Sequence, residues 1–472
     1  MDRPNVLLIT TDQQRFDTIN ALGNKHIYTP HLNWLADEGI VFERCYSDSP
    51  ICMPARATIM TGKHGYSHGL IGNQTGLRPM NAETTLPGVL TRNGYQTRAQ
   101  GKMHFDPIRA NYGFEHMELP LDYYRHLAEH GLGIAKGHGV AENEMEPVIS
   151  TVHETRSATY WTTKRSIDFL ETRDETRPFF LWSSFTKPHP PFDPCYNYWA
   201  LYQNKEMPPP IYGDWSDNME EALHGFYQPT YLLNNFHRMS AEQIQDTKRA
   251  YYASITQVDY SLGLLFARMR EMELLDNTWI IFTSDHGELL GDHHMGAKTV
   301  FLEGSAHIPM LIRPPKAREL SLYGKRCDSL VTLADVMPTI LSVTGISESV
   351  EMDGINLLAL TEEKSPDRTF YGICNDYCAI MEEGYKYIWT AFGGQELLFN
   401  MKNDPMEQKN LANTEKETAQ KMKKKLYEHV LAHQPELCEN GALKEKKAIT
   451  GSNDVDKWPG FHSTYFPSDV LH

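Results

Sequence analysis

No hydrophobic run in this 472-residue chain is long enough to cross a bilayer, which takes about 20 consecutive apolar residues in a helix. The amino terminus, MDRPNVLLITTDQQR, holds only a short apolar stretch that soon turns polar. That stretch is also wrongly flanked for a secretory signal. As written, the chain is expected in the cytoplasm, or in the periplasm or outside the cell if a signal was removed. Cysteine is scarce, with seven at irregular positions, an odd count that argues against a disulfide framework. Positive charge is in deficit: 45 Lys and Arg stand against 61 Asp and Glu, a formal net charge of −16. This excludes nonspecific binding to nucleic acid or to an anionic membrane, so any anion must be met by a local pocket. Internal repeats and low-complexity tracts are missing too, which excludes a solenoid or a disordered chain. No heptad run or apolar stripe marks an oligomer interface.

What remains is a globular composition, 40% hydrophobic and 11% aromatic, in a chain longer than one core usually spans. NVLLITTD (Asn5 to Asp12), RPFFLWSSFTKPHPPF (Arg177 to Phe192) and NTWIIFTSDHGE (Asn277 to Glu288) are short apolar runs that end in polar residues, the pattern of buried parallel strands. Helical stretches lie between them, near Thr29, Thr84 and Ser157, and from Ser240, where Gln243 completes a capping box. LVTLADVMPTILSVTGI (Leu330 to Ile346) reads as a further helix ending at Gly345. Strands alternating with helices predict an α/β fold: a large mixed, mostly parallel sheet sandwiched by helices, with ligands at the carboxyl ends of the strands. Beyond Ser365 the texture changes to short strand-like segments and one charged helix. The expected division is a catalytic domain over residues 1–365 and a smaller C-terminal α+β domain over residues 366–472. Residues 200–237, rich in Pro, Tyr and Asn, read as a long insertion near the site.

Two strand ends carry adjacent donors, Asp12 with Gln13 and Asp285 with His286. One Asp at a strand end usually caps a turn. Two such ends, in a chain that also offers CMPAR, GKMH and KPHPPF, point to one site. Carboxylate and amide oxygens suit a hard cation such as Ca²⁺, and the imidazole shifts the preference toward Mn²⁺. PARATIMTG reads as a helix, which puts Arg56 one turn beyond Cys52 on the same face and Cys52 at an N-terminus that favours a developing anion. Arg56 could then hold a reactive group at residue 52. Lys102 and His104, two apart, are expected on one side of an extended segment.

With these residues on the page, the chain resembles the type I sulfatases, a branch of the alkaline phosphatase superfamily. Cys52, Pro54 and Arg56 match the family's C-x-P-x-R signature. PNVLLITTDQQR resembles its first metal strand, GYQTRAQGKMHF its Lys-x-His segment, SDHGELLGDHHMGAKT its second metal strand with the lysine that follows, and LLFNMKNDPMEQKNLA its C-terminal hairpin. The resemblance implies the alkaline phosphatase-like fold, and oxidation of Cys52 to Cα-formylglycine by a maturation enzyme that is then a partner. In its hydrated form this aldehyde places two hydroxyls on one carbon, one to attack sulfur and one whose deprotonation lets sulfate be expelled. It also implies that Asp12, Gln13, residue 52, Asp285 and His286 hold a divalent metal, Ca²⁺ first, with Mn²⁺ or Mg²⁺ as alternatives. Lys102 is then a contact of formylglycine and sulfate, and His104 the base. His189 helps protonate the leaving oxygen, and Lys298 binds sulfate oxygens. Asn73 falls where some relatives place a sulfate-binding asparagine. Lys187, His293, His294 and His307 lie near these motifs and read as supporting or surface residues.

Departures from the pattern matter. Many sulfatases carry Asp-Asp and Asp-Asn where this chain has Asp12-Gln13 and Asp285-His286, a variant that resembles the choline-sulfatase and phosphonate monoester hydrolase branch. The phosphonate hydrolases generally lack Lys-x-His, which this chain keeps. The expected function is therefore hydrolysis of a small or carbohydrate sulfate ester, with a glycosaminoglycan-derived ester among the candidates. The alternative is a phosphonate monoester or phosphodiester hydrolase, and the third reading is a silent binding protein on the same fold.

Overall fold

The structure, a computed structural model, describes residues 3–73, 80–132, 145–216, 236, 239–316, 320–361 and 368–446. The expected boundary at Ser365 and much of the expected insertion, residues 217–235, lie outside the described residues.

The first apolar run forms strand β1 (Asn5–Asp12), and its alternation explains its place at the centre of the sheet. Val6 and Leu8 join an apolar cluster on one face, with Ala55, Val89 and Ile340. Leu7 and Ile9 join a second cluster on the other, with Leu35, Leu170 and Leu262. Successive side chains of a strand point to opposite faces, so a strand covered on both sides must be apolar at every position. The remaining strands of this sheet are β2 (Ile40–Tyr46), β3 (Gln96–Gly101), β4 (His116–Glu118), β5 (Phe179–Pro188), β6 (Thr278–Ser284), β7 (His307–Ile308), β8 (Met310–Arg313) and β9 (Lys325–Thr332). Their order is β4-β3-β5-β1-β6-β8-β2-β7, with β9 on β2. The run β4-β3-β5-β1-β6 is parallel throughout, while β6 with β8 and β8 with β2 are antiparallel. The mixed, mostly parallel α/β sheet expected from the sequence is present.

Helices cover both faces: α1 (Pro30–Asp37), α2 (Cys52–Thr61), α3 (Leu86–Arg92), α4 (Pro120–Glu129), α5 (Ala158–Thr172), α6 (Ala241–Glu271) and α7 (Val336–Val343). The capping box at the start of α6 forms as expected, with Ser240 Oγ accepting from Gln243 N and Gln243 Oε1 accepting from Ser240 N. The stretch from Leu330 departs from the all-helical expectation. Leu330, Val331 and Thr332 end β9 in parallel register with Arg44, Cys45 and Tyr46. The α-helix begins only at Val336, after a turn of 3₁₀ helix. A short apolar run reads alike as buried strand or buried helix, and pairing with β2 decides it.

The C-terminal part is an antiparallel sheet, β10 (Phe370–Cys374), β11 (Tyr377–Glu382), β12 (Tyr385–Thr390) and β13 (Glu396–Asn400). Helix α8 (Lys416–His433) packs Met422, Leu426 and Val430 against one face, where Ile380 and Leu398 lie. The other face, with Ala379, Ile388 and Phe399, shares a cluster with Phe301 and Leu302 of the large domain. Among the described residues, no helix is long and apolar enough to cross a membrane.

Candidate active site

Parallel register builds this site. Thr11 of β1 lies opposite Ser284 of β6, so the next residues, Asp12 and Asp285, leave the sheet side by side. Ser284 Oγ locks the two ends by donating to Thr11 O and accepting from Gln14 N. On the other flank, Gly101 of β3 lies opposite Ser184 of β5, and Lys102 N donates to Ser184 O at 2.9 Å. Gly101 has φ +97°, and a Cβ there would collide with that carbonyl, so only glycine fits this approach.

Helix α2 begins at Cys52, so residue 52 sits in a first turn whose N–H groups lack intrahelical partners. Asn73 meets one of them, its Oδ1 accepting from Met53 N at 3.0 Å. Cys52 carries a free, buried thiol at this helix start. Sγ lies 3.3 Å from His286 Nε2, 3.8 Å from Asp12 Oδ1 and 3.9 Å from Lys102 Nζ. Burial and Asp12 push the thiol up, yet Lys102, Lys298 and His286 together hold it well below its ordinary value. The site therefore favours negative charge at residue 52.

Arg56 is one turn along the same helix, as expected, and is 1% exposed. Its guanidinium is spent on the scaffold. Nε donates to Asp285 Oδ2 at 3.0 Å, Nη1 donates to Ser184 Oγ at 2.8 Å and to Lys102 O, and Nη2 lies 3.6 Å from Asp12 Oδ2. The expected grip on residue 52 gives way, in this arrangement, to a grip on both strand-end carboxylates.

Across from Cys52, Lys298 Nζ lies 3.3 Å from His189 Nε2 and donates to Gln13 Oε1. His189 Nδ1 donates to Pro190 O at 2.7 Å, which leaves Nε2 as the acceptor. Burial pushes His189 well below its ordinary value, with Lys102 and Lys298 adding to the effect. Gln13 has φ 72°, and its amide nitrogen donates to Glu288. His104 does not share a side of an extended segment with Lys102. The chain leaves the strand at Gly101, His104 takes φ 53°, and its side chain is exposed while Lys102 turns inward. Both still line one cavity together with His189.

Asp12, Cys52, Asp285 and His286 place one donor atom each within 4.8 Å of one another, all buried. His286 Nδ1 donates to Gly287 O at 3.0 Å, which fixes the tautomer and turns the Nε2 lone pair toward the cluster. Asp12 Oδ2 is buried and ion-paired with Lys102. Buried carboxylates and an oriented imidazole gathered on one point fit a divalent cation. Gln13, the fifth expected ligand, turns its amide oxygen to Lys298.

Two residues were not anticipated. Ser184 Oγ ties Arg56, Lys102 O and Thr10 into one knot. Glu288 accepts from Leu290 N, Ala297 N and Gln13, fixing the loop that delivers Lys298. Glu288 stands in the DHGE run, so its nearness to the site was readable, but its partners were not. Of the neighbouring residues, Lys187 ion-pairs with Asp193, and His307 Nδ1 bonds Glu303 at 2.6 Å.

Comparison with known proteins defines the class. The sulfatase family pattern matches residues 4–346, and the pattern described as N-sulphoglucosamine sulphohydrolase, C-terminal, matches residues 291–434. The chain belongs to the sulfatase family, with its alkaline phosphatase-like fold, and is a sulfuric ester hydrolase by that membership. It is 33% identical over 445 residues to an arylsulfatase of Clostridium perfringens, covering 88% of this chain and 91% of that one. It is 30% identical over 436 residues to a choline-sulfatase of Rhizobium meliloti, covering 87% and 82%. The solved phosphonate monoester hydrolase of Agrobacterium radiobacter superposes with a TM-score of 0.77 at 25% identity, covering 94% of this chain and 100% of that one.

Proposed function

We propose that this chain hydrolyses a small or carbohydrate sulfate monoester at residue 52, after Cys52 has been converted to formylglycine. The observation that carries this reading is the setting of Cys52: a helix N-terminus, with Asp12, His286 and Lys102 within 3.9 Å of the sulfur. The modified residue supplies paired hydroxyls on one carbon, which an ordinary serine lacks. A divalent cation, with Ca²⁺ as first choice, would be held by Asp12, Asp285, His286 and residue 52, and would supply charge neutralisation and polarisation there.

The chain's own groups do the rest. Arg56 clamps Asp12 and Asp285 so that the ligand carboxylates keep their separation. Lys102 and Lys298 offer cations on two sides of residue 52 for the sulfate oxygens. Asn73, at the mouth of α2, adds an amide to that anion site. The His189 and Lys298 pair, 3.3 Å apart, is placed to meet the departing ester oxygen. His104, on the rim, is the base that takes a proton from residue 52.

A second reading is carried by one observation, the superposition on a phosphonate monoester hydrolase. Here the reaction would be phosphonate monoester or phosphodiester cleavage with the same residues. Matured protein assayed side by side on sulfate monoesters, phosphodiesters and phosphonate monoesters separates the two. The sulfatase reading expects the highest kcat/KM on a sulfate ester, and a higher value on either phosphorus substrate would overturn it.

A further inference from the structure

Tyr251 of α6 is fully buried, and its hydroxyl is committed to the backbone just beyond Asp12. Its O–H donates to Gln13 O at 2.7 Å, and its oxygen accepts from Arg15 N at 3.0 Å. β1 has ended at Asp12, so no strand ladder meets this buried carbonyl and N–H, and the phenol serves both. Gln13 takes φ 72°, a conformation that a residue with a side chain keeps only where its surroundings hold it. Held so, the Gln13 amide bridges two groups: Nε2 donates to Glu288 and Oε1 accepts from Lys298. Lys298 Nζ in turn lies 3.3 Å from His189 Nε2.

The ring of Tyr251 reaches the same parts by packing. Phe192, three residues past His189, meets it edge to face at 5.4 Å and 74°, a geometry in which aromatic rings attract. Leu290 and Ala297 share its apolar cluster, and Ala297 directly precedes Lys298. One side chain therefore braces three pieces of chain: the turn after Asp12, the loop of Lys298 and the loop of His189. Tyr251 is not among the described residues lining the cavity at His189, so it acts through its neighbours. Burial pushes its phenol well above the ordinary value, so the hydroxyl keeps its proton, and its bond to Gln13 O, at neutral pH.

We propose that Tyr251 is a positioning residue for departure of the ester oxygen. Its hydroxyl and ring hold Gln13, and through Gln13 the ammonium of Lys298, at the spacing from His189 that lets the pair meet that oxygen. The inference rests on the reading of residue 52 as the centre of ester hydrolysis and deepens it. Without the hydroxyl, Gln13 O and Arg15 N are buried and unpaired, a state costly enough to shift the turn. Lys298 then loses the oxygen that fixes it. A purely structural tyrosine would instead govern the folded fraction, and its loss would lower kcat on every ester alike.

Matured wild type and Tyr251→Phe are compared on phenyl and 4-nitrophenyl sulfate, and on the matching phosphonate esters. Phenol leaves poorly and needs a proton in the transition state, whereas 4-nitrophenolate departs without one. Tyr251→Phe should lower kcat about 10- to 100-fold on the phenyl ester and no more than about threefold on the 4-nitrophenyl ester, with KM little changed. An equal loss on both, no loss on either, or the larger loss on the 4-nitrophenyl ester overturns the inference. If Tyr251→Phe fails to fold by circular dichroism, Phe192→Leu keeps the hydroxyl and removes the ring's partner. It should give the same split at smaller size, and the same contrary results overturn the inference. A split seen on phosphonate esters that the wild type prefers upholds the inference and sinks the sulfate reading alone. Equal losses on sulfate esters that the wild type prefers sink the inference and leave that reading standing.

Discussion

Lys386→Met should weaken the attachment of the C-terminal antiparallel sheet to the large mixed sheet while removing little volume. Lys386 of β12 is fully buried, and its ammonium meets Glu303, Glu407 Oε1 at 2.8 Å and Phe301 O at 3.1 Å. Glu303 also accepts from Tyr46 OH at 3.0 Å and His307 Nδ1 at 2.6 Å, and Glu407 Oε2 accepts from Glu303 N at 2.7 Å. One cation thus serves two buried carboxylates across the contact between the two sheets. Removing one partner of a buried pair costs about 3–5 kcal/mol, because the charge left behind is uncompensated. At pH 8 this should raise the exchange of β11 and β12 amides by roughly two to three and a half orders of magnitude, at about 1.4 kcal/mol per factor of ten. The penalty should shrink in acid, where the two orphaned carboxylates take up protons. Hydrogen exchange followed by mass spectrometry at pH 6 and 8, corrected for intrinsic rates, reads both effects. A loss below about 1 kcal/mol at pH 8, well under that range, or one independent of pH, would refute the reasoning.

Glu407→Gln probes the same cluster from the other side. Burial, reinforced by Glu303, pushes the Glu407 carboxyl from an ordinary 4.5 up to about 7 against the pull of Lys386. A raised carboxyl pKa contributes stability that is present below the unfolded value and lost as pH rises through the folded one. The variant should therefore be less sensitive to pH between 4.5 and 7 than the wild type, measured as thermal midpoints across that window. Arg56→Met leaves buried Asp285 without its guanidinium and should cost about 3–5 kcal/mol, read by calorimetry, with a smaller loss when a divalent cation is added. Dialysis against a chelator should abolish turnover, and Ca²⁺, Mn²⁺ or Mg²⁺ added back singly should restore it in the order of the site's preference. Undiminished turnover by metal-stripped protein, verified by elemental analysis, would remove the cation from the account.

Much of the site was legible because strands buried on both faces write themselves as unbroken apolar runs, and their polar ends then stand out. Asp12 and Asp285 were paired on that basis, and the register of β1 with β6 bears out their adjacency. What was not legible depends on backbone turns and distant partners. Gly101 at φ +97° breaks the extended segment, so Lys102 turns in while His104 turns out, and two-residue spacing could not anticipate this. Ser184 looks like any strand serine until Arg56, 128 residues away in sequence, reaches it. Leu330 to Thr332 were read as helix because apolar periodicity in so short a run does not separate the two states. The clamp of Lys386 on Glu303 and Glu407 left no mark in the sequence, since neither spacing nor charge pattern announces a pair 83 residues apart.

The central claim is that residue 52 works as a formylglycine, and mass spectrometry coupled to a sulfate-release assay tests it most directly. Protein is expressed with graded amounts of a formylglycine-generating enzyme. The tryptic peptide Cys45–Arg56 is then weighed, and inorganic sulfate release from an aryl sulfate is measured on the same samples. Conversion lowers that peptide by about 18 Da relative to the thiol, and the account predicts a rate proportional to the converted fraction, with no turnover from Cys52→Ala. Full turnover by a sample whose Cys52 remains an unmodified thiol would contradict it.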